Sequence, residues 1–381
     1  MDANAMLAAA REQTGLSDLG DDRILEGLHV LVDSLDREAK LTERGAAGTV
    51  ARITKMIANR LRVVDYLKQH PDLLERPVAR PIFVFGLPRT GTTLVINLLN
   101  ADPANRGFLR WECFDSVPPV QKGELSSDER YKAEQAMLEM SVKYAPHIAA
   151  IHYEDADSPT ECQFSMSQSF CAQFFDSVAD IPTYHDWFLN KADYRPAFEY
   201  HKKLLQVLQE NEGGRWVLKN PWHPLFLDDL TAVYPDAQLV MTHRDPVEVV
   251  GSACSLVHAS RAMTSDAADP HVVADNLLET FDAMIERSEA YRAKHGADSI
   301  HDIQYTDLLR DPIAVIRKLY AHFGETLTEE AEAAMRAFLA DNQQGKHGKH
   351  HYTLEQFGLT KAGVEEHFHD YSERYGLGVK A

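Results

Sequence analysis

One segment of the chain reads Pro81-Ile-Phe-Val-Phe-Gly-Leu-Pro-Arg-Thr-Gly-Thr-Thr93, a short apolar run that leads into a glycine-containing turn and then into a helical pattern. A strand that feeds a tight turn and a helix leaves backbone N–H groups free at the positive end of that helix. The two adjacent threonine hydroxyls add neutral donors. The segment therefore predicts an anion-binding loop.

The loop lacks a residue that nucleoside triphosphatases need. Their loop, G-x-x-x-x-G-K-[ST], carries a lysine that reaches the β- and γ-phosphates. In this chain Thr92 stands at that position, and the basic residue is Arg89, inside the loop. This arrangement favours one tightly held phosphate with a reactive group beside it over a magnesium-bound triphosphate.

The loop resembles the 5′-phosphosulfate-binding loop of sulfotransferases that use 3′-phosphoadenosine-5′-phosphosulfate (PAPS), usually written P-[KR]-[ST]-G-T-T. Arg89 then corresponds to the family's basic residue beside the bridging oxygen. A strand, turn and helix that bind another phosphate, or nothing, are the alternative for this motif alone. On the resemblance, the cofactor-binding loop consists of Gly86, Pro88, Arg89, Thr90, Gly91, Thr92 and Thr93.

A second motif strengthens the resemblance. The apolar run 237–242 is followed by Arg244, and Ser252 comes eight residues later, after a helix has begun. PAPS sulfotransferases use an arginine and a serine at this separation to hold the 3′-phosphate of the cofactor, which leaves as adenosine 3′,5′-bisphosphate. Further downstream, the segment 345–351 occupies the place of the family's C-terminal phosphate clamp, with Lys346 and Lys349 as its cations. A solvated loop or an incidental histidine cluster is the alternative for that segment.

The catalytic candidates follow from what sulfuryl transfer requires, which is charge neutralisation and removal of a hydroxyl proton. Lys219 ends the apolar strand 215–219, where parallel sheets place ligands, and matches the family lysine that supports the sulfuryl group. Glu112 and His223 are alternative bases: cytosolic sulfotransferases use a histidine soon after the lysine, and tyrosylprotein sulfotransferases use a glutamate about twenty residues beyond the loop. Glu161 ranks third.

The order of apolar segments predicts the fold. Runs at 81–86, 215–219, 237–242 and 299–305 alternate with helical patterns such as 194–211 and 271–295. This alternation is typical of a parallel sheet covered on both faces, and the resemblance implies a P-loop-like three-layer α/β/α fold. Apolar stripes at helical spacing predict a helical N-terminal region over 1–80, with the sulfotransferase domain over 81–381. In the segment Tyr305-Thr-Asp-Leu-Leu-Arg-Asp-Pro312, an aspartate is expected to cap the following helix.

Composition restricts the partners. With 381 residues and a net charge of −19, the chain can bury a large core, but its acidity argues against nucleic acid as a partner. The four cysteines lack metal-ligand spacing and are few for a secreted chain, and the N-terminus does not read as a signal peptide. We therefore expect a cytoplasmic protein without a metal site or a membrane span.

These patterns together predict an enzyme that moves a sulfuryl group from PAPS to a hydroxyl of a small-molecule, lipid or glycan acceptor. Aromatic residues within 113–195 are candidates for lining the acceptor pocket. The pattern does not identify the acceptor or the oligomeric state. Two alternatives stay open: a phosphotransferase that uses ATP and magnesium, and a nucleotide-binding module without turnover. Leu94 stands where cytosolic sulfotransferases carry a tryptophan that stacks on adenine, so base stacking must come from elsewhere.

Overall fold

A parallel sheet forms the centre of the computed structural model, which describes residues 1–121, 123–144, 154–211, 213–342 and 352–378. The described residues contribute five strands in the order β2-β3-β1-β4-β5, and all neighbouring strands run parallel. The strand β1 lies at the centre of this order, where both of its faces are buried, and its apolar sequence suits that position. The strands are β1 Ile82–Gly86, β2 Asn105–Gly107, β3 Arg215–Lys219, β4 Gln238–His243 and β5 His301–Gln304.

Helices occupy most of the remaining described chain. Before the sheet come α1 Ala3–Thr14, α2 Ile24–Arg37 and α3 Glu43–Gln69. Between β1 and β3 lie α4 Thr92–Ala101, α5 Arg110–Phe114, α6 Glu129–Tyr144, α7 Gln163–Met166, α8 Phe174–Val178, α9 Pro182–Asn190 and α10 Arg195–Leu208. Then follow α11 Leu227–Val233, α12 Pro246–Ala262, α13 Pro270–His295, α14 Tyr305–Arg310, α15 Pro312–His322, α16 Glu329–Asp341, α17 Lys361–His367 and α18 His369–Tyr375.

Alternate residues of each strand face two different cores. Ile82 and Val84 of β1 pack with Val217 of β3 against α4, α15 and α16. Phe83 and Phe85 point to the opposite face, which is covered by α10 to α13 and by the N-terminal helices. This arrangement confirms the predicted three-layer α/β/α fold with a helical N-terminal region.

The N-terminal helices begin at residues suited to that position. Asp2 caps α1 and Thr42 caps α3, each by accepting a hydrogen bond from a backbone N–H of the first turn. Their apolar faces join the same hydrophobic core as Phe83 and Phe85. The chain enters β1 at Ile82, close to the predicted boundary at residue 80. The helical region and the sheet thus share one core. The division into two domains stays a prediction.

The predicted strands and helices agree with the structure to within a few residues, and among the predicted strands β5 differs most. It ends at Gln304 because Tyr305 begins α14, so the observed strand is shorter at both ends than the predicted strand 299–305. Asp311 caps α15 by accepting a hydrogen bond from the N–H of Ala314 at 3.0 Å, as the sequence predicted. Within the described ranges, no helix is both long enough and apolar enough to cross a bilayer.

Candidate active site

The predicted anion-binding loop connects β1 to α4 at the carboxyl edge of the sheet. Its turn needs left-handed backbone at Arg89, with φ of 71°, and at Gly91, with φ of 97°. A Cβ atom at Gly91 would lie 2.8 Å from the ring of Tyr305, and one at Gly86 would lie 2.4 Å from the carbonyl oxygen of Thr242. Both glycines are therefore required by backbone conformation and by close packing.

Hydroxyl groups fasten this loop to the neighbouring strand. The Thr90 hydroxyl is fully buried, donates to the carbonyl oxygen of Leu87 at 2.6 Å, and lies 2.6 Å from the Thr242 hydroxyl of β4. The Thr90 hydroxyl therefore serves to hold the loop, and the predicted contact of Thr90 with the cofactor stays a prediction. Pro88 is buried and has no N–H, so it shapes the turn.

Helix α4 begins at Thr92 with its positive end at the loop. None of the described side chains caps this end, so the N–H groups of Thr92 and Thr93 are suited to an anion. The Thr93 hydroxyl lies on the same side, where it accepts a hydrogen bond from Lys219 at 3.5 Å. The loop geometry thus suits a phosphate or sulfate group.

The two halves of the predicted cofactor site meet. Nε of Arg89 donates to the Ser252 hydroxyl at 3.1 Å, and Nη1 of Arg244 donates to the backbone oxygen of Arg89 at 3.0 Å. Arg244 also pairs with Glu248 at 2.9 Å. Burial, and then the charge of Arg244, lower the pKa of Arg89. Two guanidinium groups forced together in an acidic chain form a local site for an anion.

Two tyrosines border this site. The Arg244 guanidinium lies 4.4 Å from the centre of the Tyr305 ring. The ring of Tyr352 packs on Gly251, where an added Cβ would come within 2.4 Å of it, and its hydroxyl donates to the carbonyl oxygen of Glu248 at 3.2 Å. Desolvation, and then Glu248, raise the pKa of Tyr352. Tyr352 could not be predicted from the sequence, because it lies 100 positions from Ser252, the serine beside it.

Lys219 lies at the centre of a second cluster. Its side chain is fully buried, and its ammonium group lies 3.2 Å from the Glu161 carboxylate and 3.9 Å from that of Glu154. Backbone pairing fixes this contact, since Glu161 forms a parallel bridge with Lys219 and the N–H of Cys162 donates to the Lys219 carbonyl oxygen at 2.8 Å. The two clusters adjoin, because the Lys219 ammonium group also donates to the Thr93 hydroxyl beside the loop at 3.5 Å.

A buried ion-pair chain extends from this cluster. Arg110 lies 2.9 Å from Glu154 and 3.0 Å from Glu134, and the Thr160 hydroxyl donates to Glu154 at 3.0 Å. Sequence reasoning missed both Glu154 and Arg110. An acidic run just before Ser158-Pro-Thr-Glu161 was the available signal, but acidic runs on loops are usually solvated.

The predicted base Glu112 belongs to a different environment. It is buried and forms an ion pair of 2.6 Å with Arg106, whose guanidinium lies 4.3 Å from the Trp216 ring. Trp216 faces the core opposite α4, whereas Lys219 of the same strand reaches Thr93 on the α4 side. The ion pair therefore lies on the other face of β3 from the Lys219 ammonium group.

His223 is also separated from Lys219. Its ring is fully buried between Phe83, Phe85 and Phe198, with centroid distances of 5.3 to 6.5 Å. Among the described residues, neither ring nitrogen has a hydrogen-bond partner. Burial, and then the charge of His201, lower the pKa of His223 well below its ordinary value. His223 therefore lies on the side of the sheet to which Phe83 points, whereas the Lys219 cluster lies on the side covered by α4.

The aromatic residues proposed for the acceptor pocket fall into two groups. Phe164 and Phe174 are partly exposed and lie near Glu161 in the chain. Four others are buried in the main core, and Tyr153 lies outside the described residues, as do the predicted clamp residues Lys346 and Lys349. The buried ones are Phe170, Phe175, Tyr184 and Trp187.

The described ranges contain neither a cluster of metal-ligating side chains nor a disulfide bond. There, no three histidine, cysteine, aspartate or glutamate side chains lie close enough together to hold a metal ion. Cys113, Cys162, Cys171 and Cys254 are all free and buried. The cytoplasmic location stays a prediction.

The C-terminal helix packs against the residue that precedes Arg244 of the candidate anion site. His243, which precedes Arg244, lies fully buried between the Tyr371 hydroxyl at 2.8 Å and the Asp302 carboxylate at 2.8 Å. The Tyr375 ring stacks on the imidazole with 3.9 Å between centroids. Helix α18 is thereby bound to the last residue of β4.

A glycine-containing loop at the carboxyl edge of a parallel sheet, with two arginines and a serine at one anion site, defines a P-loop-like α/β protein that binds phosphate groups. Comparison with known proteins gives the particular family. Residues 81–330 match the family model described as "Sulfotransferase family", and the chain belongs to this family. It is a sulfotransferase, and membership implies PAPS as the sulfate donor.

Two similar proteins of known structure cover nearly the whole chain, and a third relative covers most of it. Sulfotransferase STF9 from Mycobacterium avium is 32% identical with a TM-score of 0.92, covering 99% of this chain and 97% of its own. Sulfotransferase STF1 from Mycobacterium tuberculosis is 32% identical with a TM-score of 0.87, covering 97% and 98%. Omega-hydroxy-beta-dihydromenaquinone-9 sulfotransferase Stf3 from Mycobacterium bovis is 26% identical over 315 residues, 78% of this chain and 75% of its own. The first two similarities include the helical N-terminal region.

Proposed function

We propose that the Arg89, Ser252 and Arg244 cluster holds the phosphate groups of PAPS, and that the Lys219 and Glu161 cluster carries out transfer to an acceptor hydroxyl. The observation that carries this proposal is the 3.1 Å contact between Arg89 and Ser252, which joins the two sequence motifs at one anion site. PAPS supplies a sulfuryl group bound to a phosphate leaving group. The residues present fit such a donor, because guanidinium groups and an uncapped helix start collect positive charge in an acidic chain.

Each group of the chain has a distinct task. The N–H groups at the start of α4 and the Arg89 guanidinium bind the 5′-phosphate, and Arg244 with Ser252 binds the 3′-phosphate. Lys219 neutralises charge that develops on the transferring group. Tyr305 and Tyr352, on either side of the arginines, offer the ring faces that Leu94 does not provide for adenine. Lys346 and Lys349 remain candidates for the 3′-phosphate clamp.

Among the three carboxylate and imidazole candidates, we propose Glu161 as the base that takes the acceptor proton. It lies 3.2 Å from Lys219, whereas Glu112 is paired with Arg106 and His223 is enclosed by phenylalanine rings. A carboxylate next to the lysine that is proposed to support the transferring group is placed to accept the proton of the acceptor hydroxyl. Its place beside Lys219, which is proposed to support the transferring group, therefore favours Glu161 over Glu112 and His223, the two bases that the sequence analysis ranked first.

We propose a small-molecule hydroxyl as the acceptor. The curated relative Stf3 acts, by its name, on an omega-hydroxy menaquinone derivative, and the half-buried Phe164 close to Glu161 provides apolar contact for such a molecule. A magnesium-dependent phosphotransferase is disfavoured by Thr92, which replaces the lysine of the triphosphatase loop.

One titration series tests this function. Calorimetry with adenosine 3′,5′-bisphosphate, with 5′-AMP and with ATP plus magnesium should give tight binding of the bisphosphate alone. Incubation with PAPS and a panel of hydroxylated compounds should then release bisphosphate only when an acceptor is present. Preferred binding of ATP with magnesium would favour the phosphotransferase. Tight bisphosphate binding combined with an absence of transfer to every compound in a broad panel would favour the binding module.

A further inference from the structure

A row of phenylalanine rings begins beside the reacting cluster. The backbone N–H of Phe164 donates to the Glu161 carbonyl oxygen at 3.1 Å, and the Phe164 ring lies 5.5 Å from both Phe114 and Phe174. These three rings, which we call the aromatic pad, are only partly buried. The next ring in the row, Phe175, is 4% exposed and belongs to the core. The pad is therefore an accessible apolar surface next to the proposed base.

Two cations of α3 lie over the outer rings of the pad. The Arg52 guanidinium is 5.3 Å from the centre of the Phe174 ring, and the Lys55 ammonium is 5.9 Å from that of Phe114. Both side chains keep contact with solvent, and no carboxylate in the described ranges lies within salt-bridge distance of either. Arg110 lies over the same group of rings, so three cations surround the pad. A negative group placed between Arg52 and Lys55 would be attracted by this positive charge.

Arg110 connects the pad to the reacting cluster. Its guanidinium lies 5.7 Å from the Phe114 ring and 5.8 Å from the Phe164 ring. Its own charge is balanced by Glu134 and Glu154, so it differs from the two cations of α3. The surface thus runs from a carboxylate that accepts a proton, across aromatic rings, to two cations without acidic partners among the described residues.

We propose that the aromatic pad binds the acceptor, and that the acceptor is an aromatic alcohol that carries an anionic group. This inference rests on the proposed function. The hydroxyl lies at Glu161, the acceptor ring packs edge to face on Phe164, and the anion lies at Arg52 and Lys55. Charge complementarity selects this class, because the chain as a whole has a net charge of −19 and repels anions from most of its surface. The alternative is that the two cations only cover the rings with their apolar stems.

Two matched probes separate these possibilities: 6-hydroxy-2-naphthoate, which has the ring, hydroxyl and anion, and 2-naphthol, which lacks only the anion. Their fluorescence reports binding with and without adenosine 3′,5′-bisphosphate. We expect the naphthoate to bind about tenfold tighter to the unaltered protein. The double variant Arg52→Gln with Lys55→Gln should lose that preference and bind 2-naphthol as before. As a control, Lys68→Gln removes another cation of α3, paired with Asp18, and should change neither affinity.

Substitution of the rings tests the pad itself. Phe164→Ala should weaken the binding of both probes by about tenfold. Phe174→Leu keeps most of the apolar volume but removes the ring, so it should weaken the binding of both probes by a smaller factor and provides a second variant should the first fail to fold. Equal affinity of the unaltered protein for the two probes, or a preference that survives in the double variant, overturns the anionic assignment. Unchanged affinity of both ring variants overturns the pad. Failure of the proposed function appears separately, as weak binding of the bisphosphate to the unaltered protein.

Discussion

Nε of Arg89 donates a hydrogen bond to the hydroxyl of Ser252 at 3.1 Å, across 163 residues of sequence. The contact depends on the parallel pairing of β1 with β4, because each residue follows one of these neighbouring strands. One donor and one acceptor from separate motifs thus meet where a ligand with two phosphate groups is proposed to lie.

Removal of the Arg244 side chain should weaken bisphosphate binding selectively. Its guanidinium is expected to meet the 3′-phosphate, and a charge-assisted contact contributes roughly 1.5 to 3 kcal/mol. Arg244→Ala should therefore lower the affinity for adenosine 3′,5′-bisphosphate by about tenfold or more, with little effect on 5′-AMP, as measured by calorimetry. Arg310→Ala, which removes an exposed cation paired with Asp307, is the control. Equal losses for the two nucleotides would show that Arg244 does not read the 3′-phosphate.

Substitution of the proposed base should separate turnover from binding. Glu161→Gln keeps the size of the side chain but removes the proton acceptor, so kcat should fall by about 100-fold or more. Bisphosphate affinity should change little, because Glu161 is not proposed to contact the phosphates. Glu112→Gln is the comparison, and we expect it to lower stability through its buried pair with Arg106 and to keep more turnover. The reverse pattern, in which only Glu112→Gln abolishes turnover, would move the role of base to Glu112.

Replacement of His223 by an apolar side chain should preserve activity. The two ring nitrogens are buried without hydrogen-bond partners in the described ranges, which costs about 1 to 3 kcal/mol for an unpaired polar group. His223→Leu should therefore leave the free energy of unfolding unchanged or raise it, with turnover within about threefold of the unaltered protein. Assays of turnover and denaturant unfolding check both. Loss of turnover in a folded, bisphosphate-binding variant would restore His223 as a candidate base.

The buried histidines should make stability fall on acidification. Burial lowers the pKa of His201 to about 3 and that of His223 well below its ordinary value, whereas an unfolded histidine titrates near about 6.5. Below that pH the unfolded chain binds protons that the native state does not bind, so stability is complete above it and falls as pH decreases. Each such histidine contributes a slope of about 1.4 kcal/mol per pH unit. The free energy of unfolding, measured between about pH 6 and 4.5, should depend less steeply on pH in His223→Leu, by about 1.4 kcal/mol per pH unit. An unchanged dependence on pH would contradict the prediction.

Conformation, rather than side-chain chemistry, makes Gly91 indispensable. Gly91→Ala places a Cβ on backbone with φ of 97° and within 2.8 Å of the Tyr305 ring, so it should destabilise the protein and weaken bisphosphate binding. Gly48→Ala is the matched control in α3, where nothing lies within 4 Å of an added Cβ, and it should raise stability by up to about 1 kcal/mol. Normal affinity in Gly91→Ala would show that the turn can relax.

The sequence was sufficient for the fold because its apolar strands, glycine turn and helix caps are local signals. It also indicated that the Arg89 loop and the Arg244 and Ser252 motif lie at one site, because both motifs directly follow strands whose carboxyl ends share an edge. The direct contact between Arg89 and Ser252 was not predicted. The choice among bases was different. Spacing along the chain placed His223 close to Lys219, but alternation of side chains across β3 and the turn after it send the two to opposite faces of the sheet.

Other contacts could not be predicted because they depend on non-local pairing. Glu161 meets Lys219 through a single bridge at the strand end, formed by a chain segment 58 positions earlier. Thr90 has a motif-like position, yet its hydroxyl turns inward to Thr242, a partner that only the packing of β1 on β4 reveals. Tyr352 reaches the arginines from the C-terminal segment for the same reason.

The burial of His243 between Tyr371 and Asp302 joins helix α18 to the residue that precedes Arg244. We expect a ligand that orders Arg244 to restrain His243 and, through it, α18; by thermodynamic reciprocity, protein with α18 undocked should then bind that ligand less tightly. Amide hydrogens of 369–375 should accordingly exchange more slowly when the nucleotide is bound. Exchange in helix α18 would then report nucleotide binding at the sheet edge without the need for an acceptor.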